Sequence, residues 1–253
     1  MNRLTLIYPY YNSAGILQKQ LDGWNALPPD LIANLVVILV DDGSPVFPAL
    51  PVIQRQESIK FELRLYCVKV DIPWNQHGAR NLGARVADDG WLFMSDIDHQ
   101  LPEDSIRGLM TRKLNEKCYY TLQRVTAVKK EDGNLKYDLM TDAFGKPKPH
   151  PNTFLVTKDM FWKTGGYDED YCGVYGGDGP FMRWLNKAAE KRHFVDLVLV
   201  RWTRDLIPDA SQPPEYREKY RALYRTKFEK KGGGGKNLQF PKDPIRFPWE
   251  RLI

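Results

Sequence analysis

Two pairs of aspartates follow apolar segments of the sequence, and these are the residues whose types and spacing best suit chemistry. Asp41 and Asp42 come directly after an aliphatic run, and Asp96 and Asp98 come directly after another apolar run. Carboxylates at i, i+2 on a turn offer oxygen ligands to Mg²⁺ or Mn²⁺ and leave coordination positions for substrate phosphates. Taken alone, an Asp-Xaa-Asp turn is a weak indication of a metal site, and the alternative is an acidic turn facing solvent.

The apolar runs before these aspartates are predicted to be strands of a mostly parallel sheet, because they alternate with helical patterns. Ligands of open α/β sheets bind beyond the carboxyl ends of the strands. The first strand would place Tyr10, Tyr11 and Asn12 at that rim beside the aspartates. The predicted strands are 4–8, 35–40, 61–70 and 91–94, and the predicted helices are 13–27 and 78–87.

The second half of the sequence is less regular. A turn is predicted at 132–134, and residues 146–151 are proline-rich and typical of a loop. The predicted elements after residue 100 are strands at 117–128, 152–156 and 193–202 and a helix at 180–192.

Composition excludes several classes of protein. The chain has 253 residues, of which 42% are hydrophobic and 27% charged, so disorder throughout is excluded. Mean hydropathy is −0.51 and no apolar run approaches the length of a membrane span, so no transmembrane segment is expected. The three cysteines show no zinc-binding spacing, which favours free thiols and a cytoplasmic location. No glycine-rich phosphate loop follows the first strand, so a metal ion is expected to hold any diphosphate.

Basic residues are concentrated at the C-terminus. The formal net charge is +5, and the segment from Ser211 onward holds eleven basic and five acidic residues together with several aromatic ones. This pattern predicts a basic arm with a helix at about 214–231. One interpretation is a surface for a polyanion such as nucleic acid or anionic lipid. The alternative is an amphipathic helix whose aromatic residues pack on the body of the protein.

Five segments, in their order and spacing, resemble a family 2-type glycosyltransferase with the GT-A fold. The resemblance covers roughly residues 3–205. The segments are 4–12, 40–44, 78–84, 93–98 and 165–178.

The resemblance implies a role for each matching residue in binding a nucleotide-sugar donor. Pro9, Tyr10 and Tyr11 would line the nucleoside pocket, and an acidic residue of the Asp41–Asp42 pair would bond the base. Structural alternatives remain, since the tyrosines are also compatible with the core. The other implied roles are Arg80 near the nucleotide (alternatively a structural ion-pair partner), Asp96 at the ribose or the metal, and Asp98 as a metal ligand.

The catalytic base is implied to be Asp178, although the motif departs from that of the family. The family has Gly-Gly-Glu-Asp here, whereas this chain has Gly-Gly-Asp-Gly-Pro over 176–180. Either Asp178 is the base with a shift of one residue, or the base position is occupied by Gly179. Alternative acids upstream are Asp168, Glu169 and Asp170.

Some relatives have a histidine as a third metal ligand. Two residues of this chain are candidates for that ligand: His193, at the start of a predicted strand, and His99, directly after the acidic turn.

The implied function is metal-dependent, inverting transfer of a sugar from a nucleoside-diphosphate sugar, here a UDP-sugar, with Mn²⁺ or Mg²⁺ as cofactor. The acceptor would be a hydroxyl of a glycan, a lipid or another polymer. Alternatives are a viral-type transferase acting on modified bases in DNA, an inactive sugar-nucleotide-binding module, and a nucleotidyltransferase.

The expected domain division follows from the same resemblance. Residues 1–207 would form the GT-A domain, with a nucleotide-binding half at 1–100 and an acceptor half at 101–207. Residues 208–253 would form the C-terminal helix and tail.

Overall fold

Four parallel strands form the half of the protein that carries the acidic turns. Residues 1–172, 177–210 and 244–253 are described by a computed structural model. The strand order in this half is β3-β2-β1-β4. The four strands are β1 (Leu4–Tyr10), β2 (Leu35–Asp41), β3 (Glu62–Val68) and β4 (Trp91–Met94).

The sheet continues beyond β4 with strands of mixed direction. In the described residues, ten strands form one sheet, in the order β10-β3-β2-β1-β4-β8-β6-β9-β5, and β7 pairs with β6. The pairs β4–β8 and β6–β8 are antiparallel, and β6 runs parallel to β9. The strands beyond β4 are β5 (His99–Gln100), β6 (Cys118–Lys129), β7 (Leu135–Leu139), β8 (Phe154–Thr157) and β9 (Glu190–Arg201). The last strand, β10 (Trp249–Arg251), lies at the opposite edge of the sheet and pairs with β3.

Helices cover both faces of the sheet. α1, α3 and α5 contribute apolar residues to one core cluster, and α4, α6 and α7 contribute to the other. A short 3₁₀ helix spans Glu169–Tyr171. The helices are α1 (Ala14–Asn25), α2 (Pro29–Ile32), α3 (Ala49–Gln54), α4 (Gln76–Val86), α5 (Glu103–Thr111), α6 (Lys158–Lys163) and α7 (Asp178–Ala188).

The aliphatic sequence of β2 explains why it is a central strand. Val37 and Leu39 point into one core cluster, whereas Ile38 and Val40 point into the other. Side chains alternate between the faces of a strand, so a run of aliphatic residues is stable only where both faces are covered. β2 is buried along its whole length, as predicted from this run.

Two glycines bring the elements around the site close together. Gly83 in α4 faces Ile7 in β1, and a Cβ added there would lie 2.4 Å from the Ile7 side chain. Gly43 has a φ of +74°, and a Cβ there would lie 2.7 Å from the carbonyl oxygen of Val70. The turn after β2 therefore packs directly against the chain just beyond the end of β3.

The predicted α/β class, a central sheet with flanking helices, is confirmed. Seven helices and strands and the 3₁₀ helix were not predicted from the sequence; the seven are α2, α3, α5, α6, β5, β7 and β10. Of these, β10 pairs with β3 close to the C-terminus. The predicted helix at 214–231 lies outside the described residues. Within the described part of the chain, no helix is both long enough and apolar enough to cross a bilayer.

Candidate active site

The carboxyl ends of β1, β2 and β4 meet at one rim of the sheet. Tyr10 pairs with Asp41 in the β1–β2 register, and Ile7 pairs with Met94 in the β1–β4 register. The acidic residues that follow β2 and β4 therefore flank the end of β1. The predicted placement of these acidic residues at one rim of the sheet therefore agrees with the strand register.

Asp41 organises the loop between β2 and α3. One carboxylate oxygen accepts the backbone N–H of Ser44 at 2.9 Å, and the other accepts that of Ala49 at 2.8 Å. Burial raises the pKa of Asp41 above its usual value, although these bonds oppose the shift. Both oxygens are thus engaged by the backbone of the loop.

Asp42 faces a different neighbour, the start of α4. Its carboxylate accepts a hydrogen bond from the Asn75 amide at 2.7 Å, and the Cys172 thiol lies 2.9 Å from the Asn75 carbonyl oxygen. Burial raises the pKa of Asp42 well above its usual value. A hydrogen-bonded chain therefore joins β2, α4 and the segment after the 3₁₀ helix.

The two tyrosines at the end of β1 differ in exposure. Tyr10 is buried in the core, where its hydroxyl donates to the carbonyl oxygen of Phe47 at 2.5 Å. Tyr11 is 45% exposed, and its hydroxyl lies 3.2 Å from a carboxylate oxygen of Asp71. Pro9 is half-buried. Tyr11 and Pro9 therefore have surface that a ligand could contact. Tyr10 is buried and instead packs beneath the rim.

Arg80 links α4 to the acidic turn after β4. The guanidinium is fully buried, and one terminal nitrogen donates to a carboxylate oxygen of Asp96 while the other donates to Gln76 at 3.0 Å. Burial alone would raise the pKa of Asp96, but Arg80, with smaller contributions from nearby histidines, lowers it below its usual value. Asp96 is therefore charged at neutral pH.

Asp96, His99 and His150 form a cluster that could hold a metal ion. One ligand atom from each lies within 4.8 Å of the others. His150 Nε2 is 3.4 Å from Asp96 Oδ2, and the two imidazole ring centres are 4.5 Å apart. Burial lowers the pKa of His150 to about 3, so its ring is neutral at pH 7, as a metal ligand must be.

Asp98 contacts the cluster through His99. Its Oδ1 lies 2.7 Å from His99 Nδ1, and Asp98 is buried. His99 Nε2 is also buried and has no hydrogen-bond partner in the described residues. A carboxylate that holds one ring nitrogen of a histidine leaves the other nitrogen fixed for a metal ion. The unpartnered Nε2, the charged Asp96 and the neutral His150 therefore fit a divalent cation.

Asp178 lies at the first turn of α7 and is half-buried. Burial raises the pKa of its carboxyl above the usual value, with Arg80 opposing the shift and Asp96 adding to it. The preceding Gly177 packs on α4, since a Cβ there would lie 2.7 Å from the His77 ring. Asp178 is therefore close enough to Arg80 and Asp96 for their charges to affect the pKa of its carboxyl.

The three acids upstream of Asp178 are bound to the structure around them. The carboxylate of Glu169 is buried and accepts from the Asn81 amide at 2.9 Å and from the backbone N–H of Ile245 at 2.6 Å. Asp168 accepts the backbone N–H of Asp170 at 3.0 Å, and Asp170 pairs with Arg246 at 2.7 Å. These contacts stabilise the loop and favour Asp178 as the base candidate.

The sequence of the chain matches one family over most of its length. The sequence model of the family described as Glycosyl transferase family 2 matches residues 5–191. The chain belongs to glycosyl transferase family 2. The resemblance drawn from the five motifs is thereby confirmed.

Solved structures share the fold of this family 2 chain at low identity. Mannosyltransferase PcManGT from Pyrobaculum calidifontis, in complex with GDP-Man and Mn²⁺, has a TM-score of 0.56 at 18% identity, over 87% of this chain and 59% of that one. S. aureus TarS 1–349 in complex with UDP-GlcNAc has a TM-score of 0.61 at 14% identity, over 90% and 66%. TarS 1–349 without that ligand has a TM-score of 0.61 at 13% identity, over 92% and 73%.

These likenesses bear on the fold, and the GT-A prediction is confirmed. The chain spans 59% and 66% of the lengths of the two liganded structures, so it matches only part of each. A search of curated protein sequences gives no significant match.

Two features of this family 2 site were not predicted from the sequence. His150 was not predicted to be a ligand, because it lies in a proline-containing loop far along the chain from Asp96. Arg124 in β6 was not predicted to be part of the site either; its Nε is buried and has no partner in the described residues. Burial and the like charge of Arg201 lower the pKa of Arg124. His193 pairs with Thr121 at 3.0 Å and is not part of the cluster.

Proposed function

We propose that this protein is a metal-dependent inverting glycosyltransferase that moves a sugar from a nucleoside-diphosphate sugar to an acceptor hydroxyl. The observation that carries the proposal is the cluster of Asp96, His99 and His150 at the carboxyl end of β4, beside the buried Arg80. Family membership supports the reaction class, and the position of the cluster supports a donor site at this rim.

Asp96, His99 and His150 would hold the cation, with Asp98 orienting His99. A bound divalent cation supplies Lewis-acid stabilisation of the diphosphate leaving group. Two imidazoles with one carboxylate suit Mn²⁺ better than Mg²⁺, which prefers oxygen ligands throughout. The mannosyltransferase neighbour contains Mn²⁺, which agrees with this preference.

The donor nucleoside would bind between the ends of β1 and β2. Pro9 and Tyr11 offer exposed surface there. Asp42 is a better candidate than Asp41 for bonding the base, because both oxygens of Asp41 are engaged by the loop before α3. We take the donor to be a UDP-sugar; the neighbours hold either GDP-Man or UDP-GlcNAc, so GDP-sugars belong in the same test.

Asp178 would act as the general base. Its carboxylate would take the proton of the acceptor hydroxyl as that oxygen forms a bond to the anomeric carbon. The bond between the anomeric carbon and the diphosphate oxygen breaks on the opposite face, which inverts the configuration. A carboxyl with a raised pKa is a stronger base than an ordinary aspartate.

Arg124 and Arg201 would pair with the oxygens of the departing diphosphate. Arg201 Nε lies 3.9 Å from Asp98, and Arg124 has an unpartnered buried nitrogen. Guanidinium groups pair well with phosphate oxygens, and the negative charge would relieve the repulsion between the two arginines.

We propose that residues 101–207 form the acceptor half and that residues 208–253 form a C-terminal tail. The proposed acceptor is a hydroxyl of a glycan, a lipid or another polymer. The DNA alternative depends on the basic arm, most of which lies outside the described residues. An inactive sugar-nucleotide-binding module is the second candidate, favoured by Gly179 next to Asp178.

Thermal unfolding with a panel of UDP- and GDP-sugars, with and without Mn²⁺, tests the donor. We expect one nucleotide-sugar to raise the unfolding temperature only when Mn²⁺ is present, because a ligand that binds the folded state stabilises it. The same mixture should then release free nucleoside diphosphate slowly. Stabilisation without any release, even with candidate acceptors added, would support the inactive module. No stabilisation by any member of the panel would contradict the proposed function.

A further inference from the structure

Strand β7 is an exposed outer strand with apolar side chains. All five residues of β7, Leu135–Leu139, are exposed. The strand pairs with β6 on one side, and within the described residues no other strand pairs with it on the other side. An exposed apolar strand with a free edge is a ready site for pairing with another strand.

The backbone groups along the free edge can be assigned from the ladder to β6. Lys130 N–H donates to Asn134 O at 2.8 Å, and Met140 N–H donates to Arg124 O at 2.8 Å. Hydrogen-bonded and non-hydrogen-bonded pairs alternate in an antiparallel ladder. The N–H and C=O groups of Leu135, Tyr137 and Leu139 therefore face away from β6.

The edge that is free for pairing has a defined length. After β7 the chain folds back, and Lys148 N–H donates to Met140 O at 2.9 Å while Asp142 N–H donates to Lys146 O at 2.8 Å. The segment 146–148 thus covers the outer side of residues 140–142. The open part of the edge coincides with β7 itself.

The side chains of β7 are complementary to a reversed copy of the same strand. Leu135, Tyr137 and Leu139 share one face, and Lys136 and Asp138 share the other, where they form an ion pair of 3.0 Å within the strand. Read from Tyr137 in either direction, the order is charged residue and then leucine, with the sign of the charge reversed.

We propose that β7 pairs antiparallel with β7 of a second copy of this chain, around a two-fold axis at Tyr137. Tyr137 would then lie opposite Tyr137 of the second copy, and Leu135 opposite Leu139. Lys136 would lie opposite Asp138 of the second copy, at non-hydrogen-bonded positions, where side chains approach most closely. An isologous interface requires this self-complementarity, and a generic extended peptide would satisfy the backbone but not both charges.

Charge exchange between Lys136 and Asp138 tests the register. The full chain should show a monomer–dimer equilibrium by analytical ultracentrifugation between low micromolar and submillimolar concentration. Lys136→Asp or Asp138→Lys alone places like charges opposite each other twice, so each should weaken the dimer roughly tenfold or more. The double variant Lys136→Asp/Asp138→Lys should restore it. A mixture of the two single variants should form a heterodimer.

A cross-link at the axis gives an independent readout. Cα atoms in a hydrogen-bonded pair are about 5.5 Å apart, which a disulfide can span. Tyr137→Cys should therefore form a covalent dimer on mild oxidation. The wild type, with its own three cysteines, and Glu131→Cys in the turn before β7 are the controls and should remain uncross-linked.

Two results would overturn the proposal. One is a monomer throughout the concentration range. The other is a dimer that responds to neither single charge variant and gives no cross-link at Tyr137→Cys, since the interface would then lie elsewhere. Circular dichroism of each variant shows that the fold is retained; because β7 is exposed, no loss of fold is expected.

Discussion

His150 Nε2 lies 3.4 Å from Asp96 Oδ2, although the two residues are separated in sequence by the whole β6–β7 hairpin. This contact, together with His99, brings one carboxylate and two imidazoles together as three candidate metal ligands. Asp98, the second acid of the turn, is directed at His99. In the proposed site, the two acids of the Asp-Xaa-Asp motif therefore have different roles: Asp96 would bind the metal and Asp98 would orient His99.

Asp98→Asn should weaken metal binding without abolishing it. The substitution keeps the shape of the side chain but removes the charge that holds the His99 ring, and such changes lower metal affinity about 10–100-fold. Mn²⁺ affinity measured by calorimetry in the presence of UDP checks this. Asp104→Asn, an exposed acid in the first turn of α5, is the matched control. Unchanged affinity in Asp98→Asn would show that the contact with His99 does not matter for the metal.

Asp178→Asn should lower kcat while leaving donor binding nearly unchanged. General-base assistance contributes about 10²–10⁴-fold, so turnover should fall by that order. Steady-state kinetics give kcat, and calorimetry gives the donor affinity. Asp159→Asn, an exposed acid in the first turn of α6, should behave like the wild type. Turnover within a few-fold of wild type in Asp178→Asn would place the base elsewhere.

The pH profile of kcat should show an acid limb above the pKa of an ordinary aspartate. Asp178 accepts a proton only when ionised, and burial raises the pKa of its carboxyl. Activity is therefore present above that raised pKa and lost as the pH falls through it. His150, with its pKa lowered to about 3, stays neutral over this range. The limb should disappear from the residual activity of Asp178→Asn; its persistence would assign it to another group.

Glu169→Ala should destabilise the fold by about 2 kcal/mol, because it removes the acceptor of one buried and two partly buried hydrogen-bond donors. The carboxylate accepts from Asn81 and from the backbone N–H groups of Ile245 and Arg246, and so ties the C-terminal segment to α4. Urea unfolding measures the change. Glu57→Ala, at an exposed position, should stay within about 0.5 kcal/mol of wild type. Equal stability of the two variants would contradict the role of Glu169.

The four parallel strands were predictable because each is specified by a short run of neighbouring residues. β4 was predicted at 91–94 as observed, and β1, β2 and β3 were predicted to within two residues at each end. Aliphatic runs that end in turn residues specify such strands without reference to distant parts of the chain. β7 and β10 were missed, since one is exposed on both sides and the other forms only by pairing with β3.

The candidate site was predictable in position but not in its full composition. The strand pattern predicted that Asp96 and Asp98 lie at one rim of the sheet, and the family resemblance implied that Arg80 lies near the nucleotide. A spacing of two residues, however, does not reveal that Asp98 turns toward His99. His150 lies in the long connection between β7 and β8, and no local sequence pattern identifies it as part of the site. Residues brought together by tertiary structure are those that sequence periodicity cannot specify.

Pulsed electron paramagnetic resonance of Mn²⁺ bound with UDP tests most directly whether imidazoles hold the metal. We expect nitrogen couplings from imidazole in the wild type, a weaker nitrogen signal in His150→Ala, and no change in the control His193→Ala. Bound Mn²⁺ without nitrogen coupling in the wild type, or a signal that is the same in His150→Ala, would contradict the proposed metal site.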